Sequence, residues 1–247
     1  MTDTMTAAPT RRLLTLIEIV AAVLILEKGS TWINAGLGLV GLALPLMPLF
    51  RTTYVGFTFT ILVWLWLRKR GERWADFGLA VPRSWRRYVA WGVLLVVVAL
   101  AWSTLVQPSI DALMVRLTGA NPKQAEETFA SVTGNLPLYL YTLPCILVFG
   151  VVGEELFYRG YLLTRIEGLL GNGRAATIGA VVAQAIVFSL GHWYQGAVGM
   201  VGVGVYGLIY GIGARAWGRT LVPGMVAHGL LNFIAFTLFY LGLIGKH

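Results

Sequence analysis

Residues 136–159 of the chain read LPLYLYTLPCILVFGVVGEELFYR and decide how the rest of the sequence is interpreted. An apolar run without charge, residues 136–152, leads into two adjacent carboxylates, Glu154 and Glu155. Arg159 follows one helical turn later. Because an ionised side chain is costly in hydrocarbon, charged residues inside such a segment indicate either a functional site or a buried ion pair.

Helix geometry separates the two glutamates. Glu155 and Arg159 are spaced i, i+4 with the acid first, which is the favourable order for an intrahelical ion pair. Glu154 lies about 100° around the helix from Glu155 and is free of that pair. It can therefore serve another purpose, such as a general base in proton transfer. From these residues alone, a buried ion-pair network that only fixes helix packing is an equal alternative.

The composition of the whole chain predicts a membrane protein. Of its 247 residues, 57% are hydrophobic and 12% are charged, and the mean hydropathy is +0.74. Soluble domains carry about 25% charged residues. We therefore expect an all-α fold, a polytopic membrane helical bundle with seven or eight transmembrane helices. The formal charge is +8, and the basic residues cluster between apolar spans. This favours a role for them in orienting the protein in the membrane and in contacting anionic lipid, over nucleic-acid binding.

The sequence divides into a short tail and one membrane domain. Residues 1–10 are small and polar, which predicts a disordered tail, and residues 11–247 are expected to form a single transmembrane domain. Segments apolar enough to span a membrane cover residues 13–26, 32–50, 53–67, 89–106, 136–170, 175–192, 198–214 and 221–243. Glu18 lies near one end of the first segment, and we expect its carboxylate to reach the membrane interface.

The loop at residues 68–87 is the most basic part of the chain, so we expect it on the cytoplasmic side of a bacterial-type plasma membrane. Four further arginines fall on the same side in this topology: Arg165, Arg174, Arg215 and Arg219. Three spans before the loop would place Arg11 and Arg12 outside, whereas two would place them inside, which leaves seven or eight spans in total. Within the loop, residues 74–79 are predicted to form an interfacial amphipathic segment.

Two histidines complete a polar set within the apolar segments. Glu154 lies about as far before the turn at residues 171–173 as His192 lies after it, so an antiparallel helical hairpin would bring both to one depth. His228 and Asn232 share one face of the last predicted span. A carboxylate and an imidazole can activate water, while an imidazole and an amide can donate to an oxyanion. The set therefore suits hydrolysis.

Three short motifs occur in order on successive apolar segments: Glu154-Glu155-x-x-x-Arg159, Phe188-x-x-x-His192 and His228-x-x-x-Asn232. Over about residues 136–236 this arrangement resembles the CPBP family of intramembrane proteases, also called type II CAAX prenyl endopeptidases or ABI proteins. The resemblance implies a catalytic core in this segment. It implies that Glu154 acts as the base, with His192, on a water molecule. It also implies that Glu155 and Arg159 form a supporting ion pair. His228 and Asn232 would then stabilise the tetrahedral intermediate.

The sequence leaves open whether a metal is required. Glu154, His192 and His228 match the two-histidine, one-carboxylate ligand set of some catalytic zinc sites. The chain has no HExxH helix to hold two ligands rigidly, and asparagine is a poor zinc ligand. We therefore favour metal-free activation of water and keep zinc as the alternative cofactor.

The sequence favours an intramembrane endopeptidase that cleaves membrane-bound or membrane-associated peptides or proteins in the lipid bilayer. Two alternatives stay open. A non-catalytic membrane scaffold or immunity protein would use the same polar pocket only for binding. A proton-coupled transporter would use Glu154 and the histidines as a proton relay, although the chain shows no inverted repeat. No nucleic-acid partner is expected, and the sequence does not define the substrate or the oligomeric state.

Overall fold

The fold is described by a computed structural model that places residues 4–39, 61–80, 84–171 and 173–244. Within these ranges the chain forms helices and their connections, without a strand. The helices are α1 (Thr4–Leu39), α2 (61–69), α3 (Trp85–Thr118), α4 (Gln124–Phe129), α5 (Leu136–Leu170), α6 (Arg174–Gly191), α7 (Trp193–Ala216) and α8 (Val222–Tyr240). Short 3₁₀ turns cover Trp74–Phe77 and Ala130–Val132, and another opens α7.

Within the described part of the chain, five helices are long and apolar enough to cross a membrane, namely α3, α5, α6, α7 and α8. Their outer faces carry large exposed hydrophobic side chains such as Val97, Ile186 and Ile212, which suits contact with lipid. The predicted all-α membrane architecture is therefore confirmed, whereas the count of seven or eight spans is not. Residues 40–60, which contain parts of two predicted spans, lie outside the described residues.

Helix α1 differs from the sequence prediction at both ends of the first apolar segment. It begins at Thr4, inside the stretch 1–10 for which a disordered tail was expected, and it continues without a break to Leu39. Residues 1–3 lie outside the described part. Polar residues at 27–31 do not end the helix, because none of them is a proline and extending an existing helix costs little per residue.

Helix α5 is irregular around the two glutamates. Two stretches of wide π-helical turns, Ile146–Val152 and Glu155–Leu162, flank Glu154. The first stretch follows Pro144, which cannot donate a backbone hydrogen bond and disturbs the preceding turn. Such wide turns occur mostly at functional sites. They also shift the angles between neighbouring side chains away from those of a regular α-helix.

Helices α5 and α6 form the predicted antiparallel hairpin. Gly171, with a φ of 106°, ends α5 in the left-handed conformation that glycine adopts readily. Across the hairpin, the rings of Tyr158 and Phe188 lie 4.9 Å apart. On the other side of α6, Gln184 donates from Nε2 to the backbone oxygen of Gly207 at 2.8 Å. A Cβ at Gly211 would come within 2.5 Å of that Gln184 nitrogen, so α7 packs closely on α6 through its glycines.

The segment at residues 74–79 packs against the bundle through Phe77, and its predicted place at the membrane interface stays a prediction. Phe77 is buried, and its carbonyl oxygen lies 3.1 Å from where a Cβ at Gly160 would stand. The amide of Leu221 donates to the Gly78 oxygen at 3.1 Å. An aromatic side chain in this segment fills a core position, which amphipathic periodicity alone does not reveal. The segment therefore joins α5 to the start of α8.

Glu18 makes contacts within the bundle and with the basic loop, and its predicted place at the membrane interface stays a prediction. Its carboxylate accepts a hydrogen bond from the Tyr161 hydroxyl at 2.7 Å. It also pairs with Arg70 at 3.0 Å and with Arg165 at 3.3 Å, and its side chain is 9% exposed. A carboxylate this enclosed is stable only with cations beside it. Glu18 thus ties α1 to α5 and to the basic loop.

Candidate active site

The centre of the site is a completely buried ion pair on helix α5. Arg159 Nη1 lies 3.2 Å from Glu155 Oε1, and neither side chain has any exposed surface. The guanidinium also lies over two aromatic rings, at 4.1 Å from the Phe188 centroid and 5.3 Å from the Tyr210 centroid. Cation–π contacts of this kind stabilise a desolvated guanidinium. Glu155 and Arg159 are therefore fixed in place by three helices.

His228 of α8 lies between the two glutamates of α5. Its Nδ1 is 3.1 Å from Glu155 Oε1, and its Nε2 is 3.8 Å from Glu154 Oε2. Its ring stacks on that of Tyr210, with the centroids 5.3 Å apart and the planes inclined by 25°. Because an ionised carboxylate only accepts, the contact with Glu155 makes Nδ1 the protonated donor. The Nε2 edge then faces Glu154, beyond direct hydrogen-bond distance.

A glycine on α8 makes the approach of Glu155 possible. A Cβ built at Gly224 would lie 2.7 Å from Glu155 Oε2, closer than real Cβ atoms come to such an oxygen. Gly224 is one helical turn before His228, and both are buried. The close packing of α8 on α5 at this point sets the distance between Glu155 and His228.

His192 occupies the C-terminal cap of α6. Its Nδ1 lies 2.8 Å from the backbone oxygen of Phe188, and since a carbonyl only accepts, Nδ1 carries the proton in this arrangement. In the neutral ring, Nε2 is then left as an acceptor for a water or substrate proton. Glu154 and His228 are both near enough to interact electrostatically with His192. The hairpin thus brings the first glutamate and this imidazole into one region.

The two adjacent glutamates have very different surroundings. The Glu154 side chain is 25% exposed, whereas that of Glu155 is completely buried. Asn232, the last of the predicted residues, is partly buried one turn beyond His228 on α8. Contacts shorter than 4 Å therefore join Glu154, Glu155, Arg159 and His228. His192 lies close enough to Glu154 and His228 to interact with them electrostatically. Asn232 lies on α8, one turn after His228.

Two residues near the site are not among those that the motifs indicate. Tyr210 lies against both His228 and Arg159, yet an aromatic residue in an apolar, glycine-rich span carries no distinct pattern. Glu27 of α1 approaches Gly191, the residue before His192. Its position directly after the apolar run 13–26 is the only sequence signal that marks Glu27, just as Glu18 stands out within that run.

Glu154, His192 and His228 are the residues that would hold a metal ion. Throughout the described residues, no group of three or more His, Cys, Asp or Glu side chains is placed so that it could hold one. The Nδ1 atoms of His192 and His228 contact a carbonyl and a carboxylate, which is also how histidines are held that bind a metal through Nε2. We derive no step through a metal.

The residues of the site lie in one segment of the chain, which the model of a known protein family matches. A family model described as Rce1-like, type II CAAX prenyl endopeptidase Rce1-like, matches residues 136–234. The match begins at the first residue of α5 and ends in α8 just after Asn232, so it contains all three motifs. The resemblance of this segment to the CAAX-type intramembrane proteases is therefore confirmed, and the protein is an integral membrane protein. No curated protein and no solved structure matches the chain.

Proposed function

We propose that the protein is an intramembrane endopeptidase that cleaves membrane-bound or membrane-associated peptides. The observation that carries this proposal is the placement of His228 between Glu154 and Glu155, with only Glu154 partly exposed. A buried, paired carboxylate cannot meet a substrate, whereas a partly exposed one beside an imidazole can. The match to a peptidase family over the same residues supports this chemistry.

The first step is attack by water on the scissile carbonyl. Glu154 takes one proton from the water, whose oxygen forms the new bond to the carbonyl carbon. The free Nε2 of His192 accepts the hydrogen bond that orients the same water. When the tetrahedral intermediate collapses, the C–N bond breaks and Glu154 returns its proton to the leaving amine nitrogen. The balance closes with one water consumed and one carboxyl and one amine produced.

His228 and Asn232 are the donors for the oxyanion in this mechanism. Since Nδ1–H of His228 is directed at Glu155, its Nε2 can donate only when the ring carries both protons. The amide of Asn232 supplies a second donor from the same helix face. Preorganised donors of this kind contribute about 3–4 kcal/mol each to the transition state in known hydrolases.

The Glu155–Arg159 pair has a supporting role. Glu155 Oε1 contacts both Arg159 and His228, so it orients the imidazole while the arginine offsets its own charge. Removal of either partner would leave an uncompensated charge in a dry environment. The pair thus acts on the reaction through His228, without touching the substrate.

The orientation of the protein follows from its charged clusters. Arg165 donates to both Glu72 oxygens, at 2.9 and 2.6 Å, which attaches the end of α5 to the basic loop 68–87. Arg215 and Arg219 both pair with Glu167, near the same end of α5. Positive residues concentrated at one end of a bundle favour the cytoplasmic side. We propose that this loop lies in the cytoplasm of a bacterial-type cell. Membrane peptides and lipid are the proposed partners of the protein.

The proposal is tested with the full-length chain in liposomes of phosphatidylethanolamine and phosphatidylglycerol. The probe is a pool of synthetic transmembrane peptides, with products identified by mass spectrometry. We expect cleavage by the natural sequence and a loss of at least about 100-fold in Glu154→Gln and His192→Gln. Each variant is checked for its melting temperature. Cleavage at the natural rate by both variants would refute the proposal in favour of a binding or transport function.

A further inference from the structure

Helix α1 reaches the site although it lies outside the Rce1-like segment 136–234. A Cβ built at Gly191 would lie 2.6 Å from Glu27 Oε1 and 3.0 Å from the Tyr158 hydroxyl oxygen. Gly191 is the last residue of α6 and directly precedes His192. A carboxylate from α1 and a phenol from α5 therefore converge on the backbone that carries this imidazole.

Tyr158 connects the α1 carboxylate with the proposed base. It is buried, and its ring meets Phe188 edge-on at 4.9 Å, one turn before His192. Glu27 and Glu154 are both among the charged groups that interact with it. Tyr158 is also one turn beyond Glu154 on α5. The phenol thus lies near both carboxylates and against the helix that ends in His192.

The last turn of α6 needs such support. Helix termini have unpaired carbonyl groups and fray easily. The His192 ring is held by its contact with the Phe188 oxygen, and its amide donates to the Ser189 oxygen at 3.0 Å. Both of these partners belong to α6 itself. They cannot fix the turn relative to α5, where Glu154 lies.

We propose that Glu27 is a positioning residue of the site: together with Tyr158 it holds the Gly191–His192 turn and so sets the place of His192 relative to Glu154. This inference rests on the proposed function as far as its kinetic test is concerned. It makes α1 a part of the active site. It also explains why position 191 is a glycine, since any side chain there would displace Glu27 or Tyr158.

The kinetic test compares Glu27→Gln with Glu127→Gln. Glu127 is an exposed acid of α4 whose carboxylate accepts from Asn121 at 3.0 Å, so the control removes the same charge without touching the contacts at Gly191. In Glu27→Gln we expect kcat for peptide cleavage to fall by about tenfold with KM changed less than twofold, because misplacement of a reacting group acts on the chemical step. Equal kcat values in the two variants would overturn the proposal.

A spectroscopic test does not depend on cleavage. The full-length protein is labelled with ¹³C and ¹⁵N at histidine, and the His192 signals are assigned by their absence in His192→Gln. We expect Glu27→Gln to move these signals and Glu127→Gln to leave them unchanged. Unmoved signals in Glu27→Gln would overturn the inference. If no substrate is ever cleaved, the proposed function fails while this result still decides the role of Glu27.

A pair of size changes addresses the packing itself. Gly191→Ala adds a methyl group at the contact point, and Glu27→Asp draws the carboxylate back by one methylene. We expect Gly191→Ala to shift the His192 signals and lower kcat, and the double variant to recover part of both. A double variant that is worse than either single one would contradict direct contact between these two positions.

Discussion

His228 contacts Glu155 more closely than Glu154: its Nδ1 lies 3.1 Å from the buried glutamate, and its Nε2 lies 3.8 Å from the exposed one. The imidazole is therefore anchored on one side and open on the other. Glu154 and Glu155 have the same side chain, and the difference in their burial supports separate roles for them. Glu155 is completely enclosed with Arg159 and is proposed to hold the site together, whereas Glu154, 25% exposed, is proposed to act on the substrate.

The separate roles proposed for the two glutamates predict that Glu155→Gln lowers the melting temperature, whereas Glu154→Gln does not. Glu155→Gln leaves Arg159 as an uncompensated buried cation, which costs about 3–5 kcal/mol of folding free energy. We expect a markedly lower melting temperature in detergent. Glu154→Gln removes a partly exposed charge, so we expect a melting temperature near that of the natural protein together with the loss of peptide cleavage.

The comparison requires that both variants be measured in the same detergent by the same thermal assay. Arg159→Gln serves as the complementary variant, because it leaves Glu155 unpaired and should lower the melting temperature as well. If Glu154→Gln destabilised the protein as much as Glu155→Gln, the division of roles between the two acids would be wrong.

Gly224 predicts a second effect at the same contact. In Gly224→Ala the new methyl group would lie 2.7 Å from Glu155 Oε2, and overpacking of a buried position costs about 1–3 kcal/mol. We expect a lower melting temperature and slower cleavage, since Glu155 must move away from His228. Gly229→Ala on the same helix is the control, because its nearest neighbour would be 4.0 Å away. A harmless Gly224→Ala variant would contradict the contact.

The sequence predicts those parts of the fold that depend on local spacing. The i, i+4 interval places Glu155 beside Arg159, and the position of the turn at 171–173 puts Glu154 and His192 on facing helices. Both arrangements are present. Each follows from the periodicity of one helix or one hairpin, so no knowledge of distant residues is needed.

Contacts between distant helices could not be predicted in the same way. The approach of His228 to Glu155 depends on how α8 packs on α5, and therefore on the bare surface of Gly224. The contacts of Glu18 with Arg165 join residues far apart in the chain. Helix propensity and hydropathy carry no information on such pairings, because side-chain packing between helices decides them.

The proposed activation of water by Glu154 and His192 predicts that peptide cleavage does not need an added metal. In that mechanism the carboxylate and the imidazole activate the water without a metal ion. We expect full cleavage after dialysis against a chelator, with metal content measured by plasma mass spectrometry. Loss of cleavage that stoichiometric zinc restores would contradict this expectation.

The charged cluster around Arg165 predicts that the basic loop is held to the bundle. Arg165 lies 2.6 Å from Glu72 and 3.3 Å from Glu18, and its guanidinium is 5.1 Å from the Phe77 ring centroid. In Arg165→Ala, Glu18 and Glu72 lose one of their two cations and keep Arg70, which costs about 1–3 kcal/mol. We expect a lower melting temperature and faster proteolysis within residues 68–87.

Two controls isolate the geometry of that cluster. Arg165→Lys keeps the charge but cannot bind both Glu72 oxygens at once, so we expect an intermediate loss of stability. Lys69→Ala removes an exposed cation from the same loop and should leave both the melting temperature and the proteolysis rate unchanged. If Lys69→Ala loosened the loop as much as Arg165→Ala, net positive charge rather than the Arg165 contacts would hold the loop in place.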